Sequence, residues 1–288
     1  FTPVSCFGGN DGAATIAINQ GTAPFSITWI PYGGSALAAN ALSSNTYTIN
    51  VVDLKGCSTF TVVAIDEPTT SVSASYITTP VNCKGEASGS INVIPAGGTP
   101  GYTYSWLPAV PIPGAANQSN VLAGTYSVTV SDTNLCSINL SITVSEPLAA
   151  LSSTVLATNP ICSDLVGSAS IFTSGGTIGY NYLWSTTPPF NGSSLSLNAG
   201  TYTITTTDTL SCTTTNTFVI TEPLPVSLSL SADDSICVSE NITLNATATG
   251  GAGNYSYAWQ PGGVNNAGVY NVSPDSSTIY TVGAYDQN

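Results

Sequence analysis

The chain has 288 residues, 2 Lys and Arg against 15 Asp and Glu, no His, and a net charge of -13. With Lys55 and Lys84 as its only cations it cannot neutralise a run of phosphates, which argues against nucleic acid as a partner. The absence of His removes Ser-His-Asp and Cys-His nucleophile systems and imidazole metal sites, and the carboxylates are too scattered for a glycosidase pair. No enzyme and no cofactor are therefore expected. Met is absent and no apolar run approaches the ~18 residues of a membrane span, so the segment is expected not to insert in a membrane and to be a piece of a longer, processed protein.

Along the chain the elements read as short strands separated by Gly, Pro, Asn and Asp, with no helical period. GTAPFSITW at 21 and NTYTINVVD at 45 come first, then Cys57 and the dipeptide Glu67-Pro68. After it follow SVSASY at 71, GSINVI at 89, GTPGYTYSW at 98, GTYSVTVSD at 124 and INLSITVSEP at 138. The outline recurs as GTIGYNYLW at 176 and GTYTITTTD at 200, and again as GAGNYSYAW at 251 and TIYTVGAYD at 278.

The landmarks keep their spacing. Trp29, Trp106, Trp184 and Trp259 each follow a Cys (Cys6, Cys83, Cys162, Cys237) by 22 or 23 residues. Tyr47, Tyr126 and Tyr202 each precede a second Cys (Cys57, Cys136, Cys212) by 10, and a Glu-Pro stands 10 further on, at Glu67, Glu146 and Glu222. Four tandem copies are expected, over 1–68, 69–147, 148–223 and 224–288. The first copy lacks residues for its N-terminal strand, and Tyr280 places the fourth copy's second cysteine at 290, beyond Asn288. The ends are thus expected to cut an array, with Cys237 pairing outside the chain; a neighbouring subunit that donates the missing strand is the second reading. Spacing suggests bonds Cys6–Cys57, Cys83–Cys136 and Cys162–Cys212 in an oxidising compartment, with buried free thiols as the alternative.

Six or seven half-apolar strands in each copy predict an all-β fold: four small immunoglobulin-like antiparallel sandwiches in a tandem array. The Pro-stiffened junctions favour an extended rod of roughly 130 to 170 Å. Alternation puts Tyr102, Tyr104 and Trp106 on one face, as it does Phe25, Ile27 and Trp29. Ile27 replaces an aromatic ring there, so the position asks for apolar bulk. The four Trp, with Tyr47, Tyr126, Tyr202 and Tyr280, are expected in sandwich cores rather than on a carbohydrate-binding face. Asp53, Asp132, Asp208 and Asp286 end the Tyr strands, where they are expected to accept hydrogen bonds from turn amides. Their alternative is Ca²⁺, completed by Asp11, Glu67, Glu146 or Glu222, although one or two carboxylates per copy make a sparse ligand set.

The order CFGGNDG at 6, GGTPGYTYSW at 97, AGTYSVTVSD at 123, a further Cys and a terminal Glu-Pro resembles the SprB repeat. The likeness covers the first three copies nearly end to end. In the fourth, CVSENIT at 237 replaces the Cys-x-Gly opening, and that copy looks closer to PKD or other immunoglobulin-like modules. The resemblance implies a large extracellular surface adhesin of gliding Bacteroidota, exported by type IX secretion. It also implies O-glycosylation at Asp-Ser/Thr-apolar sequences, which here selects Thr209 and Ser235.

The expected role is a disulfide-stapled shaft whose partners are neighbouring modules of the same longer chain. Second comes self-assembly with copies of itself into a filament or sheath through strand edges. Third comes recognition of surface polysaccharide by the loops at 108–120 and 185–194, which differ most between copies.

Overall fold

The structure, a computed structural model, describes residues 1–265 and 268–286, with the side chains of 263–265 left aside. Among the described residues there are strands and no helix. No helix is therefore long and apolar enough to cross a membrane, a statement that does not bear on β-barrels. The chain divides into two compact units, Phe1–Leu148 and Ala149–Asn288.

In the first unit, one pair of sheets is built from β1 (Gly12–Thr15), β2 (Ser26–Ile30), β3 (Ala38–Leu42), β4 (Asn45–Val52) and β5 (Ser58–Ile65). β1 pairs with β3, and β4 lies between β2 and β5, all antiparallel. Period-2 alternation turns Tyr47, Ile49 and Val51 of β4 inward, where they meet Ala39 and Leu42 of β3 from the facing sheet.

The second pair comprises β6 (Ser73–Thr79), β7 (Gly89–Ala96), β8 (Thr103–Leu107), β9 (Asn117–Val121), β10 (Gly124–Ser131) and β11 (Ser137–Val144), ordered β6-β7-β9 and β8-β10-β11. Its core joins Ile91, Val93 and Val121 of one sheet to Tyr126, Val128, Val130, Ile142 and Val144 of the other. In the first pair the place of β6 is marked by a single bridge, Thr2 to Ala13, equivalent to Thr79 opposite Ser90. Thr59 and Thr61 of β5 are consequently exposed, whereas Ile138 and Leu140 of β11 are half-buried, with β6 packed against their strand.

The join between the two pairs depends on Gly97 and Gly98, both left-handed at φ 72° and 60°. A Cβ on Gly97 would fall 2.1 Å from the Ser71 carbonyl, and the Gly98 amide donates to Thr70 O at 2.9 Å. The chain can turn back this closely only without side chains. The same left-handed doublet recurs at Gly175-Gly176 and Gly250-Gly251.

The loop at 108–116 is braced from within, which sequence patterning did not indicate. Gln118 is buried; its Nε2 donates to Ile112 O at 2.7 Å and Ala115 O at 3.0 Å, and its Oε1 accepts from Ile112 N at 3.1 Å. Ala115 O also accepts from Trp106 Nε1 at 2.9 Å. Gln118→Leu strands those loop groups and is expected to destabilise the first unit by about 1–3 kcal/mol, measured by urea unfolding.

The second unit holds a third pair, β12 (Ser152–Thr158), β13 (Gly167–Ser174), β14 (Asn181–Trp184), β15 (Ser194–Leu197), β16 (Gly200–Thr207) and β17 (Thr213–Ile220). These are ordered β12-β13-β15 and β14-β16-β17. Trp184 meets Phe218 edge-on in its core, with ring centroids 5.9 Å apart. The fourth pair is β18 (Ser227–Leu230), β19 (Ile242–Thr249), β20 (Ser256–Gln260), β21 (Gly263–Asn265), β22 (Val269–Val272) and β23 (Thr281–Tyr285), ordered β18-β19-β22 and β21-β20-β23. Its core is smaller and more aromatic, with Trp259 stacked on Tyr270 at 5.5 Å.

Candidate functional site

The recurrent feature outside the cores is a cysteine loop hung on a carboxylate. In the first pair Asp53 Oδ1 accepts from the amides of Lys55 and Cys57, both at 2.9 Å, and Oδ2 accepts from Thr22 N at 3.2 Å. Asp132 does the same with Asn134 and Cys136, both at 2.9 Å, and Thr99 at 2.8 Å. Asp208 accepts from Leu210, Cys212 and Thr177, each at 2.9 Å. The residue before each cysteine is left-handed: Gly56 at φ 78°, Leu135 at 68° and Ser211 at 68°. An Asp at the strand end thus replaces a backbone acceptor and fixes where the cysteine points.

These carboxylates are spent on amides. Amide donors from Cys57 and Thr22 hold the Asp53 carboxyl below the usual carboxylate range. Burial pushes Asp208 up, but the amides of Thr177, Cys212 and Leu210 outweigh it and leave the group lowered. Because the folded form of Asp53 and Asp208 favours the ionised state, the stability these two groups supply is present above the ordinary Asp range and lost as pH falls through the depressed values. The melting temperature, followed by Trp fluorescence, is expected to be level near neutrality and to fall below about pH 4.

A second element, the turn cysteine, lies at the opposite end of the first two sandwiches. Cys6 leads into a turn with Gly8 left-handed at φ 74°, and the Gly9 amide donates to Cys6 O at 2.8 Å. The Gly8 amide donates to Glu67 Oε2 at 2.5 Å, and Val4 N to Asp66 O at 2.8 Å, so the turn sits beside the end of β5. Cys83 repeats this, with Gly85 at φ 82° donating to Glu146 Oε2 at 2.7 Å. Left-handed Asp164 and Ser239 stand at the same position after Cys162 and Cys237.

The geometry corrects the cysteine pairing expected from spacing. Cys6 is bonded to Cys136 of the second sheet pair, across 130 residues, with Cα atoms 5.7 Å apart. Cys57 is a free thiol and is not its partner. The reason is strand length: Cys57 precedes the eight residues of β5 and Cys6 lies beside its far end. That strand spans about 26 Å, far beyond the roughly 4.4–6.8 Å between Cα atoms that a disulfide bridges. The same holds for Cys83 and Cys136 across β11. Cys162 is a free thiol, as is Cys237, so a Cys162–Cys212 bond is also ruled out. Around the Cys6–Cys136 bond, Asn134 Nδ2 donates to Ser5 O at 3.0 Å and Cys136 Sγ lies 3.3 Å from the same oxygen.

Trp29, Trp184 and Trp259 are buried and Trp106 is half-buried. Trp29 Nε1 donates to Ala36 O at 2.9 Å and Trp184 Nε1 to Gly192 O at 2.7 Å, tying each ring to the loop that follows it. Tyr47 and Tyr126 are buried, while Tyr202 and Tyr280 are half-buried. The hydroxyls of Tyr47, Tyr126 and Tyr202 donate to the carbonyls of Ser43, Leu122 and Asn198, four residues back, at 3.1, 2.9 and 3.1 Å. This is the tyrosine corner of immunoglobulin-like sandwiches.

Asp11 Oδ1 accepts from Ser5 N at 2.9 Å, and Glu222 is exposed. No group of three or more potential metal ligands occurs among the described residues. Thr209 is exposed but its hydroxyl donates to Ile178 O at 3.2 Å, so a glycan there would remove that bond; Ser235 is exposed beside Asp234.

These sheet pairs define the class: an all-β chain of tandem immunoglobulin-like antiparallel sandwiches. The SprB repeat model matches residues 1–34, 75–111 and 229–264, and the chain carries repeat modules of that type. The third match falls on the copy whose opening departs from the motif, whereas the third copy has no match. Among solved structures, three N-terminal domains of the outer capsid protein Hoc of bacteriophage RB49 are 14% identical, with 73% of this chain and 85% of that one covered and a TM-score of 0.34. The eight N-terminal immunoglobulin domains of the Down syndrome cell adhesion molecule are 11% identical, with 99% and 57% covered and a TM-score of 0.35. Domains 1–6 of the surface layer protein SbsC are 14% identical, with 91% and 48% covered and a TM-score of 0.31. The chain thus spans about half the length of the last two. No curated protein matches the sequence.

Proposed function

We propose that the chain is a non-catalytic structural segment of a secreted cell-surface protein, a shaft of four sandwich modules over 1–68, 69–147, 148–223 and 224–288. The observation that carries this reading is the Cys6–Cys136 bond. It joins the far end of the first sandwich to the near end of the second, which is what a load-bearing spacer needs and a single-module receptor does not. The SprB-type repeats support an extracellular setting, and within it a surface adhesin, including one used in gliding, is the finer role. Disulfides belong to an oxidising compartment, and a chain with two cations offers trypsin-like proteases few sites.

A carbohydrate face is disfavoured because the stripe that would form it faces inward, with Trp29, Trp184 and Trp259 buried. Negative-stain electron microscopy of the native protein tests the shaft. Modules in single file without lateral contacts are expected; chains bundled side by side along their strand edges would overturn it in favour of a sheath.

A further inference from the structure

The Cys6–Cys136 bond joins a cysteine turn to a cysteine loop, and one other loop cysteine is open. Cys57 is an exposed free thiol. Its loop is built like that of Cys136: the same Asp acceptor at four residues back, the same left-handed residue immediately before, and the same return bond from the Asp amide to the cysteine carbonyl, at 3.0 and 2.9 Å. In the second sheet pair that loop holds the turn cysteine Cys6. Cys212, in the third copy of the loop, is also disulfide-bonded.

We infer that Cys57 is the acceptor half of an end-to-end disulfide closed by a turn cysteine of the Cys6 type on another module, and that for this chain alone the partner is Cys237 of a second copy. Cys237 is exposed and free, whereas Cys162 is half-buried. Its turn keeps the features of the Cys6 turn, with Ser239 left-handed at φ 68° and the Glu240 amide donating to Cys237 O at 3.1 Å. Charge also matches. Lys55, one of two cations in the chain, takes the place of Asn134 in the Cys57 loop, while Glu240 and Asp275 lie around Cys237. A loop meeting a loop would bring two Lys55 together; a loop meeting this turn pairs opposite charges. The contact is heterologous, so it propagates head to tail.

Closure requires an oxidant, here a small disulfide such as oxidised glutathione. The Cys57 thiol gives up its proton and attacks the glutathione disulfide, releasing one glutathione thiolate. The deprotonated Cys237 then attacks the Cys57 sulfur and releases the second. Two protein thiols are oxidised and one glutathione disulfide is reduced to two thiols.

The test is to incubate the purified chain at high concentration in a glutathione redox buffer. Products are then run on a non-reducing gel, digested with pepsin at low pH, and searched for linked peptides. A ladder of multimers is expected, with Cys57–Cys237 peptides in excess over Cys57–Cys57 and Cys237–Cys237. Cys57→Ser abolishes the ladder and Lys55→Glu lowers its yield severalfold. Absence of a ladder, linkage in the proportions of random collision, or dominance of Cys57–Cys57 would each overturn the assignment. The inference stands on cysteine connectivity, so lateral bundling in the microscope would sink the shaft without touching it.

Discussion

Asp132→Ala is expected to lower the stability of the first unit by about 3–5 kcal/mol and its melting temperature by about 10 °C, measured by calorimetry. Asp132 is 1% exposed and three backbone amides end on its carboxylate. Removing it leaves those amides without an acceptor at the join between the β10–β11 hairpin and the Gly97-Gly98 turn. A Cβ on Gly98 would lie 2.5 Å from Asp132 Oδ2, which shows how little room water has to replace the carboxylate. Asp132→Asn separates charge from geometry: Oδ1 can still receive Asn134 and Cys136, but the amide nitrogen meets the Thr99 N–H as a second donor. An intermediate loss is expected. Asp53→Ala, at a half-buried site, should cost less than Asp132→Ala. Equal small effects at both sites would contradict the role assigned to the carboxylate.

Cys6→Ser is expected to destabilise the first unit by about 2–4 kcal/mol, because the bond it removes constrains a long stretch of unfolded chain. It should also separate the unfolding of the first sheet pair from that of the second, giving a broadened or double calorimetric transition where the parent shows one. Cys6→Ser combined with Cys136→Ser should match the single variant, since both remove one and the same bond. A single sharp transition at the parent temperature would mean that the two sandwiches are coupled by packing alone.

Much of this was legible in the chain. Alternation in NTYTINVV and GTYSVTVS marked β4 and β10, and the recurring Trp marked the strand beside each. Ile27 in place of a tyrosine already argued for an inward face. The carboxylates after the Tyr strands were readable as turn acceptors because Asp at a strand end has few other uses. The cysteine partners were not, since periodic spacing is identical whether a bond closes within one module or between two. The overlooked signal was the nine residues between Cys57 and Glu67, filled by a full-length strand that sets the two ends of the module too far apart. Gln118 was missed for a different reason: a lone polar residue in a loop-like stretch carries no period, and its burial follows from the path of residues 108–116 around it.

The most direct test is the disulfide map of the native protein. Thiols are blocked with an alkylating agent, the chain is digested with pepsin at low pH without reductant, and linked peptides are identified by mass spectrometry. The predicted result is a peptide pair joining Cys6 to Cys136, with Cys57 recovered alkylated or joined to a cysteine turn of another module. Recovery of Cys6 joined to Cys57 and of Cys83 joined to Cys136 would place each bond inside one sandwich and contradict the stapled shaft.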